Sequence, residues 1–385
     1  MSFGALALIS LIAIAGPLLA TPPRWRLPVV LGELLGGVVF GSTGFRVLHP
    51  GNATFTFLAD VGFALVMFVA GTHVPIRDPS MRSAIRPAIA RAAAIGVVAI
   101  PLAVSLSHGF GTGHVALYAV LMASSSAALI LPTVDSLQLR SSDVVAALPQ
   151  VAVADAACIV ALPLAIDPPH AGRAALGALA VAACSTVVFI LLRWAERSGR
   201  RRRVHQVSED HEFAVELRIS LVILFAVAAV ATQTHVSIML AGFGLGLAVT
   251  AVGEPRRLAK QLFAVTEGFL GPLFFVWLGA SLDLRALGDR PSFILLGCLL
   301  GLGAVLAHLT MRITGQPAPV GALVSAQLGV PVAAATLGSQ LHLLKSGEAP
   351  ALILGALLTI GASIAGASLL ARQPAAASTT AAAPG

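Results

Sequence analysis

The sequence predicts an all-α polytopic membrane protein of about 13 transmembrane helices, built as inverted repeats with two discontinuous helices. Three observations predict it. Apolar residues make up 57% of the chain, charged residues only 11%, and mean hydropathy is +0.92, whereas a soluble domain carries about a quarter charged residues. Thirteen apolar segments, each bounded by Pro, Gly or charge, follow one another at 3–20, 27–41, 57–73, 87–107, 113–134, 144–166, 174–194, 214–232, 235–251, 261–281, 292–314, 318–341 and 347–371. Finally, an N-terminus placed outside the membrane puts nineteen of the 24 Lys and Arg residues at inner helix ends and five at outer ends. That positive-inside bias calls for an odd helix number and a cytoplasmic C-terminus.

The first segment lacks a basic leader, so Ser2 to Ala20 reads as a retained helix and not as a cleaved signal. Several later segments are shorter than the ~20 residues of a full span, which suits tilted or broken helices. Segment 5 is interrupted by Ser124, Ser125 and Ser126 and again by Pro132. Segment 6 opens at Asp143 and carries a lone carboxylate, Asp155. At 1.5 Å per residue that group lies about 18 Å into the helix, near mid-bilayer. An ionisable group at that depth costs several kcal/mol unless protonated or coordinated, so it marks a functional site by default.

The basic run from Arg193 to Arg203 divides the chain near its middle. Six segments precede segment 7 and six follow it, which gives the two halves opposite topology. The fifth member of each half is irregular: segment 5 at its serines, and segment 12 at Gly329 and Pro331. Interrupted segments in matching positions point to a transport site at the midplane. The expected unit is one transmembrane transporter domain, 1–371, with a disordered cytoplasmic tail over 372–385.

The +7 formal charge and pI near 10.5 do not argue for nucleic acid, because the basic residues punctuate apolar runs and orient helices. Cys158, Cys184 and Cys298 lie inside apolar segments without metal-ligand spacing and read as packing residues. No GxSxG, HExxH or zinc spacing is present, so neither an enzyme nor a cofactor is expected. The glycine run Gly242, Gly244 and Gly246 lacks the continuation of a phosphate loop and reads as a close-packing face.

Four stretches together resemble the monovalent cation:proton antiporter superfamily, in particular its Kef-like sodium or potassium/proton exchangers, here without a C-terminal nucleotide-binding regulatory domain. They are Pro28 to Gly37 with Gly41 and Ser42; Leu58-Ala59-Asp60-Val61-Gly62 with Phe68 to Gly71; Ser124-Ser125-Ser126-Ala127; and Pro272 to Val276 with Gly279, Ser281, Leu282 and Asp283. The resemblance implies a sodium/proton antiporter-like fold with two parts, in which the two discontinuous helices cross. A bundle, the homodimer interface, would draw segments 1–3 and 8–10, mainly from 1–110 and 214–283. A mobile core would draw segments 4–6 and 11–13, mainly from 113–167 and 292–371, and the family's ion-binding Asp falls on Asp155. The chain departs from the family at Ala154, where a polar residue is usual, at Gly303, where a basic one is common, and at Gln327-Leu328-Gly329, which replaces an acidic residue. His73 stands where an acidic residue commonly closes the third helix.

A carboxylate shielded from water loses hydration of its charged form, so a proton and a small monovalent cation compete for it. Such mutual exclusion couples two fluxes when the site faces each side in turn. Asp155 with the hydroxyls of Ser124, Ser125 and Ser126 is the expected proton and Na+ or K+ site, Asp155 being the ligand of the transported ion only. Gln327, His308, Glu33 and Gln150 are the candidate supporters. One carboxylate without a neighbouring carboxylate or Lys predicts electroneutral exchange. The expected partners are the proton, a monovalent cation, the lipid of a bacterial inner membrane and a second copy of the chain. Two other readings stay open: a sodium-coupled organic anion carrier, and a non-transporting scaffold or sensor of the same fold.

Overall fold

The computed structural model describes residues 1–21, 29–74, 79–200, 213–234, 236–253, 256–282 and 284–372. The expected tail beyond Arg372, together with Pro28, Asp283 and Arg201 to Arg203, lies outside the described residues.

Eighteen α-helices are described, and lipid imposes that choice: a spanning segment has to satisfy its backbone polar groups internally. They begin with α1 (Phe3–Ala13), α2 (Ala15–Ala20), α3 (Val29–Phe40), α4 (Ala53–Thr72) and α5 (Pro79–Gly109). The broken pair α6 (Val115–Ala123) and α7 (Ala127–Ser136) follows, then α8 (Ser142–Ile166) and α9 (Ala171–Arg197). The second half holds α10 (Val215–Gln233), α11 (Ile238–Val252), α12 (Arg256–Val265), α13 (Gly271–Ser281), α14 (Arg285–Asp289) and α15 (Pro291–Leu309). It ends with α16 (Ala318–Val324), α17 (Gly329–Gln340) and α18 (Glu348–Arg372). Several starts are fixed by side-chain caps: Asn52 Oδ1 accepts the Thr54 and Phe55 N–H groups at 3.2 Å each, and Ser237 Oγ accepts that of Met239 at 3.2 Å.

Ten stretches of helix among the described residues are long and apolar enough to cross a membrane, and three shorter apolar ones are Val29–Phe40, Val115–Leu131 and Ile238–Val252. Together they correspond to the thirteen segments of the sequence. Two packing groups emerge. In one, α4 packs on α11 and α13, α13 on α3, and α9 on α11. In the other, α5 packs on α6 and α8, α15 on α18 and α6, and α16 on α18. Close approach in the first group depends on glycine: a Cβ on Gly246 would run into the Phe68 carbonyl, and one on Gly242 into that of Ala64.

Two interruptions sit elsewhere than expected. The first break lies at Ser124–Ser126 alone, and Pro132 is inside α7. The second lies at 325–328, so Gly329 and Pro331 fall in the opening turn of α17. A proline there removes no intrahelical hydrogen bond, because the first N–H groups of a helix have no partner within it.

Candidate functional site

The two breaks cross each other. The Ser126 N–H donates to the Ala326 carbonyl at 2.8 Å, and Gln327 Nε2 donates to the Ser124 carbonyl at 3.2 Å. At the crossing the C-terminal ends of α6 and α16 face the N-terminal ends of α7 and α17. Helix ends of opposite partial charge therefore meet where the backbone leaves its ladders.

Asp155, 5% exposed, reaches this point from the uninterrupted α8. Its Oδ2 accepts the Ala127 N–H at 2.9 Å, so the carboxylate takes the place of a cap on α7, where the helix dipole favours negative charge. No other hydrogen bond to Asp155 occurs among the described residues. The remaining oxygen is therefore free to take a proton or a cation.

The three serines divide their work. Ser124 Oγ donates back to the Leu121 carbonyl at 2.8 Å, which leaves its own carbonyl to Gln327. Ser125 Oγ donates to the Val324 carbonyl at 2.7 Å and stands 3.2 Å from His308 Nε2. Ser126 contributes its N–H to the crossing. The structure thus brings Asp155, the serines, Gln327 and His308 into one neighbourhood.

His308 is fully buried in α15, and its Nδ1 lies 2.8 Å from the Ala304 carbonyl. It is the basic residue at the crossing among the described residues, five residues beyond Gly303 in the same helix. A Cβ on Gly303 would stand 2.7 Å from Met122 Sδ, so α6 fills the space that a longer side chain would need there.

The other two supporters are not brought to Asp155 by any described contact. Glu33 is buried in α3, where a Cβ on Gly16 would come within 2.8 Å of its Cγ. No basic partner for it is found among the described residues. Gln150 is fully buried in α8, and both polar atoms of its amide lack a hydrogen-bond partner among the described residues.

Two contributors were missed in the sequence. Thr359 Oγ1 accepts the Gln327 N–H at 3.1 Å, and Ser363 Oγ donates to the Leu323 carbonyl at 2.8 Å. Both buckle the second break onto α18. Their i, i+4 spacing in an otherwise apolar helix was the available signal.

Comparisons with known proteins give the family and the fold. Residues 7–372 match the family described as sodium/hydrogen exchanger, transmembrane. The chain is similar to the putative Na+/H+ antiporter YjbQ of Bacillus subtilis (strain 168), at 24% identity over 93% of this chain and 61% of that protein. It is also similar to the Na+/H+ antiporter NhaS5 of Synechocystis, at 29% identity over 83% of this chain and 47% of the relative. A third relative is the glutathione-regulated potassium-efflux system protein KefC of Salmonella typhi, at 26% identity over 77% of this chain and 48% of that protein. The chain therefore spans about half to three-fifths of these relatives' length. Among solved structures, the sodium proton antiporter MjNhaP1 from Methanocaldococcus jannaschii at pH 8 superposes with a TM-score of 0.61, covering 95% of this chain and 99% of that one at 18% identity. That likeness establishes the fold.

Proposed function

The chain belongs to the sodium/hydrogen exchanger family, and on that premise we propose that it is a secondary antiporter exchanging protons for Na+ or K+ around Asp155. One observation carries the reading: the Asp155 carboxylate meets the N-terminus of α7 where the two broken helices cross. A proton and a cation compete for its free oxygen. Backbone carbonyls released by the breaks, and the serine hydroxyls, are the hard oxygen ligands that a small monovalent cation prefers.

Asp155 is the one carboxylate brought to the crossing among the described residues, and we assign electroneutral exchange of one proton for one cation. The bundle is α1–α4 with α10–α13, and the core is α5–α8 with α15–α18. The core moves against the bundle, exposing Asp155 to each side in turn. The N-terminus lies outside and the C-terminus in the cytoplasm of a bacterial inner membrane, and the bundle forms a homodimer. Exposed apolar residues on α1 and α3, such as Leu11 and Leu35, support that last assignment. The names of the relatives divide between sodium and potassium, so both ions belong in the test.

The test is a pH-gradient assay in proteoliposomes with Na+, K+, Li+ and Rb+, on wild type and Asp155→Asn. At least one cation dissipates the gradient with the wild type and none does with the variant, whether or not the membrane potential is clamped. A wild type that responds to no cation sinks the antiport reading. A potential-dependent rate sinks electroneutrality.

A further inference from the structure

A second carboxylate faces the space between the two packing groups. Asp60, on α4, lines a cavity of about 190 Å³ whose polar lining also includes Thr232, Ser237, Thr336 and Gln340. One wall is bundle: α4 and the α10–α11 corner. It is held rigid where Phe63, itself a lining residue, stacks on Phe274 with ring centroids 4.7 Å apart. The opposite wall is α17, the half-helix that begins at the crossing.

The residues that α17 presents follow one face. Ala333, Thr336, Leu337 and Gln340 all line the cavity, at the three- and four-residue spacing of a single helical stripe. Gly329 lies four residues before Ala333, on the same stripe, as the first residue of α17 after the break. There the stripe meets sulfur: a Cβ on Gly329 would lie 3.5 Å from Met67 Sδ and 3.6 Å from Met239 Sδ. Both methionines are buried. The cavity and the crossing are therefore two ends of one helix face, separated by two flexible thioethers that can change rotamer without breaking a hydrogen bond.

Asp60 makes no hydrogen bond or ion pair with any described residue. An unpaired carboxylate in a cleft with low-dielectric walls focuses its field into that cleft and raises the local cation concentration. The cavity has room for several water molecules, and its other polar groups are hydroxyls and an amide, which suit a cation that keeps part of its hydration shell.

We propose that this cavity is an entry vestibule for the transported monovalent cation, with Asp60 as its collecting carboxylate and Met67 and Met239 as the closure between it and Asp155. The inference rests on the antiport reading and deepens it. In the orientation proposed above, α4 and α11 start and α17 ends on the outer side, so the vestibule opens outward.

Two measurements separate this from the antiport reading itself. In the pH-gradient assay, Asp60→Asn raises the cation KM at least about threefold and leaves the maximal rate within about twofold, because it removes attraction before the coupling step, and Asp60→Glu restores the KM. An unchanged KM overturns the proposal. The second readout does not need transport. Gln340→Cys is labelled from the outside of intact cells with impermeant thiol reagents of positive and of negative charge, and the wild-type chain, with Cys158, Cys184 and Cys298, is the background. The positive reagent reacts several-fold faster, and adding Asp60→Asn erases that preference. No labelling above background, labelling only from the cytoplasmic side, or a charge preference that survives Asp60→Asn each overturns it. A wild type that exchanges no cation defeats the antiport reading, and the labelling ratio still decides whether Asp60 collects cations.

Discussion

Asp155 Oδ2 accepts the N–H of Ala127 at 2.9 Å, which ties an uninterrupted helix to the first residue of a half-helix. Two roles coincide in this bond: a cap for α7 and a carboxylate for the ion.

The roles separate by substitution. Asparagine keeps an acceptor oxygen and loses the charge. Asp155→Asn therefore unfolds within about 1 kcal/mol of wild type and exchanges no cation. Asp155→Ala is equally inactive and additionally loses about 1–2 kcal/mol through the missing cap. Thermal unfolding in detergent beside the pH-gradient assay checks both. An Asp155→Asn protein as unstable as Asp155→Ala would make the residue primarily structural.

Ser125 joins three helices, since its hydroxyl donates to Val324 and faces His308. Ser125→Ala strips the Val324 carbonyl of that donor in a buried site and costs about 1–3 kcal/mol. His308→Ala removes a fully buried ring as well and costs about 2–4 kcal/mol. The double variant falls short of the sum by roughly 0.5 kcal/mol or more, because the two share one contact. Strict additivity in thermal unfolding would show that the 3.2 Å approach is only proximity.

Much of this was legible in the chain. Asp155 stands out by depth in an apolar run, the serines by interrupting one, and the segments by their punctuation, because each is a local departure from lipid-compatible sequence. The exact place of the second break was not, since Gly329 and Pro331 signal irregularity equally well as breakers or as the opening turn of a helix. Nor was His308 separable from any helix-end histidine: its significance comes from α15 lying beside α6, a pairing between segments 183 residues apart. Asp60 was visible only as part of a motif, because a cavity between two packing groups has no signature along the chain.

The α4–α11 seam gives a paired test of packing. A Cβ on Gly246 would strike the Phe68 carbonyl, which cannot rotate aside, whereas one on Gly361, on the outer face of α18, meets nothing within 4 Å. Gly246→Ala is expected to cost about 1–3 kcal/mol by overpacking. Gly361→Ala is neutral or stabilising by up to about 1 kcal/mol through helix propensity. Thermal unfolding of the two purified variants decides; equal stabilities would mean that the helices slide apart freely.

Glu348 offers the sharpest energetic prediction away from the ion site. It is fully buried at the start of α18, and its Oε1 accepts both His114 Nδ1–H and the Tyr118 hydroxyl at 2.6 Å. Its Oε2 accepts the Lys345 N–H at 2.9 Å, and the Lys345 ammonium in turn donates to the Gly111 carbonyl. This cluster pins the start of α6, the half-helix that leads to Ser124, onto the last helix. Glu348→Ala leaves the buried Tyr118 hydroxyl and two part-buried donors without an acceptor and is expected to cost about 3–5 kcal/mol, as for one partner removed from a buried pair. Tyr118→Phe removes a single donor and costs about 1–2 kcal/mol. In the Glu348→Ala background the tyrosine substitution costs almost nothing, so a double-mutant cycle returns a coupling of about 1–2 kcal/mol. A coupling near zero would mean that the two short contacts to Oε1 contribute nothing to the hold between α6 and α18, and that apolar packing alone fixes the first half-helix.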